Sequence, residues 1–203
     1  MKKILFIDRD GTIINEPRDF QVDSFEKLEF KTSVLKYLSK ISEELDFDLV
    51  MVTNQDGLGT KSFPEKDFWP IQNFIIKTLE NERIYFKEIL IDRTFPDENA
   101  NTRKPNIGLI EKYLVDKNIN IYESFVIGDR ITDLKFAQNI GCKGILINDL
   151  KTKDHLKSDI NIDEDSMFSF QDWKSIYNFL KLEFRTISFT RKTNETNIKI
   201  SLN

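Results

Sequence analysis

Cysteine and histidine are almost missing from this chain. Cys142 and His155 are the single examples of each, which excludes a disulfide framework within the chain and a zinc site built from Cys and His. Catalysis of the Ser-His-Asp or Cys-His kind loses its ground too, because one histidine would have to serve as the base. Long apolar runs are also lacking. None approaches the roughly 20 residues of a membrane-spanning helix, and the apolar part of "MKKILFIDRD" is too short for a secretory signal. There is no excess of basic charge either. The net charge is -4 and lysine and arginine are scattered, so the electrostatic footprint of a nucleic-acid binder is absent. What remains for chemistry is carboxylates, lysine, hydroxyls and a hard cation, in a chain that suits a cytoplasmic, reducing setting.

What is present points to an α/β domain. The 203 residues suit one such domain with some length to spare. The 39% apolar fraction and 17 phenylalanines supply a core, and the 32% of charged residues, mixed in sign, read as a solvated surface. Five short apolar runs punctuate the chain: "ILFI" (4–7), "LVMV" (49–52), "EILI" (88–91), "FVI" (125–127) and "GILI" (144–147). They are too short for helices and do not alternate, which predicts buried parallel strands. Helical stripes lie between them. "TSVLKYLSKISEEL" puts Val34, Leu35, Leu38, Ile41 and Leu45 on one face, and "NIGLIEKYLVDK" stripes Ile107, Ile110, Tyr113 and Leu114 after Pro105. "RITDLKFAQNIG" stripes Leu134, Ala137 and Ile140 and closes on Gly141. Residues 64–82 read as helical, with Pro70 marking a start or a kink. A last helix in "SFQDWKSIYNFLKLEF" packs Trp173, Ile176, Phe179 and Leu180. The alternation predicts a doubly wound, mostly parallel, Rossmann-like sheet.

Such sheets bind ligands beyond the carboxyl ends of their strands. The residues there are Asp8-Arg9-Asp10-Gly11-Thr12, Thr53-Asn54-Gln55-Asp56-Gly57, Asp92, Gly128-Asp129-Arg130 and Asn148-Asp149. Acids recur at every end. A buried carboxylate costs several kcal/mol unless paired, and Asp8 and Asp10 repel one another, so a cation such as Mg²⁺ answers the need. A carboxylate can also attack phosphorus and form an aspartyl-phosphate. A second one nearby can protonate the leaving alkoxide and then deprotonate water.

Four stretches, in order, resemble the motifs of the haloacid-dehalogenase-like phosphohydrolases: "DRDGT", "VTNQ", "RKP" and "GDRITD". The likeness over roughly residues 3–148 is nearest to the branch of that family that hydrolyses histidinol phosphate and is joined to an imidazoleglycerol-phosphate dehydratase. The resemblance implies a capless fold and a set of roles. Asp8 is the nucleophile and a Mg²⁺ ligand. Asp10 is the general acid/base and lends its backbone carbonyl to the metal, and Asp129 is the third protein ligand. Thr53 and Asn54 bond phosphoryl oxygens. Lys104 bridges nucleophile and phosphate, and Asp133 orients Lys104 or a water held by the metal. Gln55, Arg103 and Arg130 are further candidates for substrate contact. The substrate implied is a small phosphate monoester, with neither nucleic acid nor membrane as partner.

The resemblance also divides the chain into a phosphatase domain, 1–184, and the opening of a dehydratase domain, 185–203, expected as a single strand or a disordered tail. A covalent continuation into the rest of that domain would follow. Relatives in this branch carry a zinc loop just before "RKP"; here its four ligand positions fall on Asp92, Thr94, Ala100 and Thr102, so no structural zinc is expected. The site should be open, closed mainly by the 92–103 loop. Plainer readings stay open for single residues. Asp8 could be a strand-end cap, Thr53 and Asn54 turn residues, and Asp129 a helix cap. A sugar-bisphosphate phosphatase and an idle scaffold for the dehydratase are the rival functions.

Overall fold

All five apolar runs form strands: β1 (Lys3–Ile7), β2 (Phe47–Asn54), β3 (Phe86–Asp92), β4 (Phe125–Gly128) and β5 (Lys143–Ile147). The structure, a computed structural model, describes residues 1–147, 166–183, 187–192 and 197–202. The strand-end residues Asn148 and Asp149, and His155, lie outside the described residues. A sixth strand, β6 (Met167–Phe170), pairs with β5 from Gly144↔Met167 to Ile147↔Phe170. Three of its residues are only partly buried and Ser169 is exposed, so no continuous apolar run marks it.

The strands make one sheet in the order β3-β2-β1-β4-β5-β6, and every neighbouring pair is parallel. The chain winds outward from β1 to β3 and then returns to β4 on the other side of β1. That reversal is the switch point where such sheets open a crevice. Asp8 follows β1 at this point, and Asp129 follows β4.

Helices cover both faces, as an all-parallel sheet requires. They are α1 (Val34–Glu44), α2 (Glu65–Asn81), α3 (Glu111–Val115), α4 (Ile131–Ile140) and α5 (Trp173–Glu183). Strand alternation divides the core. Leu5 and Ile7 of β1 pack with Leu38, Ile75 and Ile176 from α1, α2 and α5. Ile4 and Phe6 pack on the other face with Tyr113, Phe136 and Ile140 from α3 and α4. Pro70 falls inside α2 rather than ending it. Gly141 closes α4 with φ +82, a left-handed conformation that glycine adopts without a Cβ penalty. The stripe from Ile107 yields a 3-10 turn at Gly108–Ile110 and only five residues of α3. Tyr113 is buried and Leu114 packs against the same core, but Val115 at the end of α3 is exposed.

Trp173 is fully buried and donates its indole N–H to the Thr12 carbonyl at 2.9 Å, so α5 pins the turn after β1. Where a single strand or disordered tail was expected, β7 (Ile187–Lys192) and β8 (Asn197–Leu202) form an antiparallel hairpin. Among the described residues no helix is long and apolar enough to cross a membrane.

Candidate active site

The ends of β1, β2 and β4 and the first turn of α4 converge on one buried lysine. The Lys104 ammonium lies 2.8 Å from Asp8 Oδ1 and 2.8 Å from Asp133 Oδ1. Asp8 is anchored where its backbone N–H bonds the Ile127 carbonyl of β4 at 2.9 Å. Asp133 sits in the first turn of α4, where its other oxygen accepts the Arg130 N–H at 3.1 Å. Asn54 holds Lys104 in place: its side-chain amide donates to the Lys104 carbonyl and its oxygen accepts the Lys104 N–H, both at 3.1 Å. The carboxamide expected on the phosphate thus also staples β2 to the lysine segment. Burial works against charge on Lys104, but Asp133 and Asp8 overcome it and hold its pKa above the ordinary lysine value.

Beside this pair stands a third acid. Asp8, Asp129 and Asp133 each offer an oxygen within 4.8 Å of the others. Both oxygens of Asp133 are engaged by Lys104 and Arg130, whereas Asp129 Oδ1 is buried with no hydrogen-bond partner. Burial, with Asp8, Asp133 and Glu16 nearby, raises Asp129 to about 7. Burial likewise raises Asp8 to about 6 despite Lys104 beside it. An orphaned buried carboxylate oxygen against a second strained carboxylate is the donor set of a hard divalent cation, so Asp8 and Asp129 fit Mg²⁺. Gly11 permits the approach: at φ +71, a Cβ there would lie 2.0 Å from Asp129 Oδ2. Gly128 does the same for Asp133, whose Cγ would meet its Cβ at 2.1 Å.

Asp10 finds a different answer to its burial. Its carboxylate is gripped by the Arg9 guanidinium, from Nε at 3.2 Å and Nη2 at 3.0 Å. Arg9 is fully buried, so the acid–base–acid ending of β1 is charge-balanced from within: Lys104 serves Asp8, and Arg9 serves Asp10. Gln55 completes the hold, donating to Asp10 Oδ2 at 2.5 Å and to Thr53 Oγ1 at 2.9 Å. Gln55, expected against substrate, is therefore buried behind the acids and is not on the cleft wall. The sequence signal for Arg9 is a charge set between two acids directly after the apolar run Ile4–Ile7.

An open cleft of about 800 Å³ lies over these groups. Asp8, Asp10, Thr53, Asn54, Lys104 and Asp133 form its floor, while Arg103 and Arg130 stand in its walls. Two loops make the walls, not one. Residues 16–21 supply Glu16, Asp19 and Phe20, and residues 95–106 the opposite side. Arg130 pairs with Glu16 at 2.5 Å and lies 5.5 Å from the Phe20 ring. Phe20 is 67% exposed with φ +60, a conformation costly for a bulky residue and often met at functional sites. Arg103 is turned to Asp56, at 2.6 and 3.1 Å, and to the Thr94 carbonyl at 2.7 Å. In the loop where zinc ligands were considered, Asp92 is buried and accepts the Thr94 N–H at 3.0 Å, its hydroxyl at 2.6 Å and that of Thr102 at 2.5 Å. Hydrogen bonds to one carboxylate join the two arms of that loop. Cys142 is buried, which pushes its thiol up to about 12, in keeping with a packing role.

Known proteins are similar to this chain. The HAD-hydrolase-like family profile matches residues 101–166. The histidine biosynthesis bifunctional protein HisB of Bacteroides fragilis is 47% identical over 203 residues, covering all of this chain and 54% of that protein. The protein of the same name from Spirosoma linguale is 44% identical over 210 residues, covering all of this chain and 55% of that protein. The chain thus spans about half the length of the curated relatives it matches. In fold it resembles the D,D-heptose 1,7-bisphosphate phosphatase of B. bronchiseptica, solved with magnesium and phosphate. The TM-score is 0.76 at 22% identity, over 90% of this chain and 99% of that one.

Proposed function

We propose, from the likeness to the HAD-hydrolase-like family over residues 101–166 and to the bifunctional HisB proteins, that the chain is a haloacid-dehalogenase-like, Mg²⁺-dependent phosphatase of histidine biosynthesis. It hydrolyses L-histidinol phosphate to L-histidinol and phosphate through an aspartyl-phosphate. The observation that carries this reading is Lys104 buried between Asp8 and Asp133, beside Asp129 with its unpartnered oxygen, at the switch point of the sheet. A nucleophilic carboxylate, a fixed positive charge and a pair of carboxylates suited to a cation meet there.

The steps follow from the side chains. The free oxygen of Asp8 attacks phosphorus while Lys104 holds the other and offsets charge on the phosphoryl group. As the ester P–O bond breaks, Asp10 gives its proton to the departing alkoxide oxygen. It then takes a proton from the water that attacks the phosphorylated Asp8. Thr53 Oγ1 accepts from Gln55, so its own proton is free for a phosphoryl oxygen. Mg²⁺, held by Asp8, Asp129 and the Asp10 carbonyl, would supply positive charge at the transferring phosphoryl oxygens. Glu16, Asp19 and Phe20 give the cleft wall an acidic and aromatic character, which suits a substrate bearing an ammonium group and an imidazole.

The relatives named as bifunctional support reading residues 1–184 as the phosphatase domain and 185–203 as the opening of a dehydratase domain. A cytoplasmic setting goes with that pathway. The test is kcat/KM with Mg²⁺ on L-histidinol phosphate and on D,D-heptose 1,7-bisphosphate. Preference for histidinol phosphate is expected. Preference for the heptose ester would keep the chemistry and overturn the pathway, and turnover of neither by folded protein would favour the idle scaffold.

A further inference from the structure

Arg9 is the largest charged side chain in the protein to be fully buried among the described residues, and the steps above give it no part. It does not reach the cleft, so it binds no substrate. Each of its three guanidinium nitrogens is nonetheless engaged. Nε and Nη2 donate to both oxygens of Asp10 at 3.0 and 3.2 Å. Nη1 donates to Gln72 Oε1 of α2 at 2.9 Å, and Nη2 also to Gln55 Oε1 at 2.8 Å. Its Cζ lies 4.9 Å from the Phe68 ring of α2. Gln55 in turn donates to Asp10, so Arg9, Asp10 and Gln55 close a ring of hydrogen bonds.

We infer that Arg9 is a positioning residue: its buried fork, anchored on α2, fixes the Asp10 carboxylate in the orientation that delivers a proton to the departing oxygen. The inference rests on Asp10 being the acid of the proposed function. The geometry favours this over simple charge balance. A guanidinium is planar and grips a carboxylate at two points, so it sets direction as well as charge. The anchors on Gln72 and Phe68 remove the freedom of a long side chain, and a displacement of about 1 Å at a reacting group can cost on the order of 10²-fold in rate.

The test uses the leaving group. A 4-nitrophenolate departs without a proton, whereas the alkoxide of L-histidinol must be protonated, and kcat/KM covers the steps through this first cleavage. With the full chain and Mg²⁺, Arg9→Met should lower kcat/KM on L-histidinol phosphate by about 10²-fold, as loss of general acid catalysis does. On 4-nitrophenyl phosphate the fall should be only severalfold, which also shows that the variant is folded. Asp10→Asn is the reference and should show the same selective loss. Equal falls on both esters in Arg9→Met, with a selective fall in Asp10→Asn, would overturn the inference and leave the proposed acid standing. An unselective Asp10→Asn would overturn the acid itself, and the inference with it. Should Arg9→Met not fold, Gln72→Leu decides, since it removes only the α2 anchor. A smaller shift in the same ratio supports the inference, and an unchanged ratio overturns it.

Discussion

At the scale of single residues, Lys104 sets the charge balance of the site. Lys104→Met leaves Asp8 and Asp133 facing each other in a buried place, and removing one partner of such a group costs about 3–5 kcal/mol. Urea unfolding near neutral pH should show a loss of that order, shrinking in mild acid as a carboxyl takes up a proton; a loss independent of pH would contradict the pairing. Asp8 and Asp129 predict a second pH effect. Both are raised from 3.8, to about 6 and about 7, so between about pH 4 and pH 7 the folded protein binds more protons than the unfolded chain. Stability then falls as pH rises through that window. A cation held by the two carboxylates reverses this, so Mg²⁺ should raise the melting temperature more at about pH 8 than at about pH 5. Equal gains at both pH values would argue against these ligands. The acids and Lys104 were legible because chemistry restricts what can stand at those strand and helix ends. Arg9 was not: a sequence shows that a charge is present, not that it is buried, and Gln55 turns inward only because Asp10 and Arg9 draw it there.

At the scale of elements, the loop from Asp92 to Lys104 depends on one carboxylate. Thr94 and Thr102 stand on its two arms and both donate to Asp92, while Arg103 ties the same loop to Asp56. Asp92→Ala takes the shared acceptor from the half-buried Thr94 and Thr102, at about 1 kcal/mol for each hydrogen bond lost. The expected result is a lower melting temperature and a KM raised severalfold more than kcat falls. Asp92→Asn, which keeps an acceptor, should change both much less. An unchanged KM in Asp92→Ala would contradict a wall-holding role. The strands β1 to β5 and the helices α1, α2 and α4 were legible as runs and stripes, since burial on both sheet faces demands continuous apolar strands. β6 was not, because its edge position leaves it half covered. The hydrogen bonds of the 92–103 loop have no periodicity to betray them.

At the scale of the whole molecule, the alternation of elements predicted the doubly wound sheet, but not the order β3-β2-β1-β4-β5-β6. That order is a matter of which crossover returns past β1, and it decides that Asp8 and Asp129 meet. Every residue of the site lies between Asp8 and Asp133, ahead of the hairpin of β7 and β8. A chain ending at residue 184 should therefore keep kcat and KM for phosphate release; loss of activity in a folded truncated chain would mean that the hairpin supports the site. The central claim is that Asp8 carries the phosphoryl group. It is tested most directly by Mg²⁺-dependent phosphate release from L-histidinol phosphate, comparing the chain with Asp8→Asn at matched folding. The account predicts turnover that needs Mg²⁺ and falls by at least about 10³-fold in the variant. Turnover retained in Asp8→Asn would contradict it.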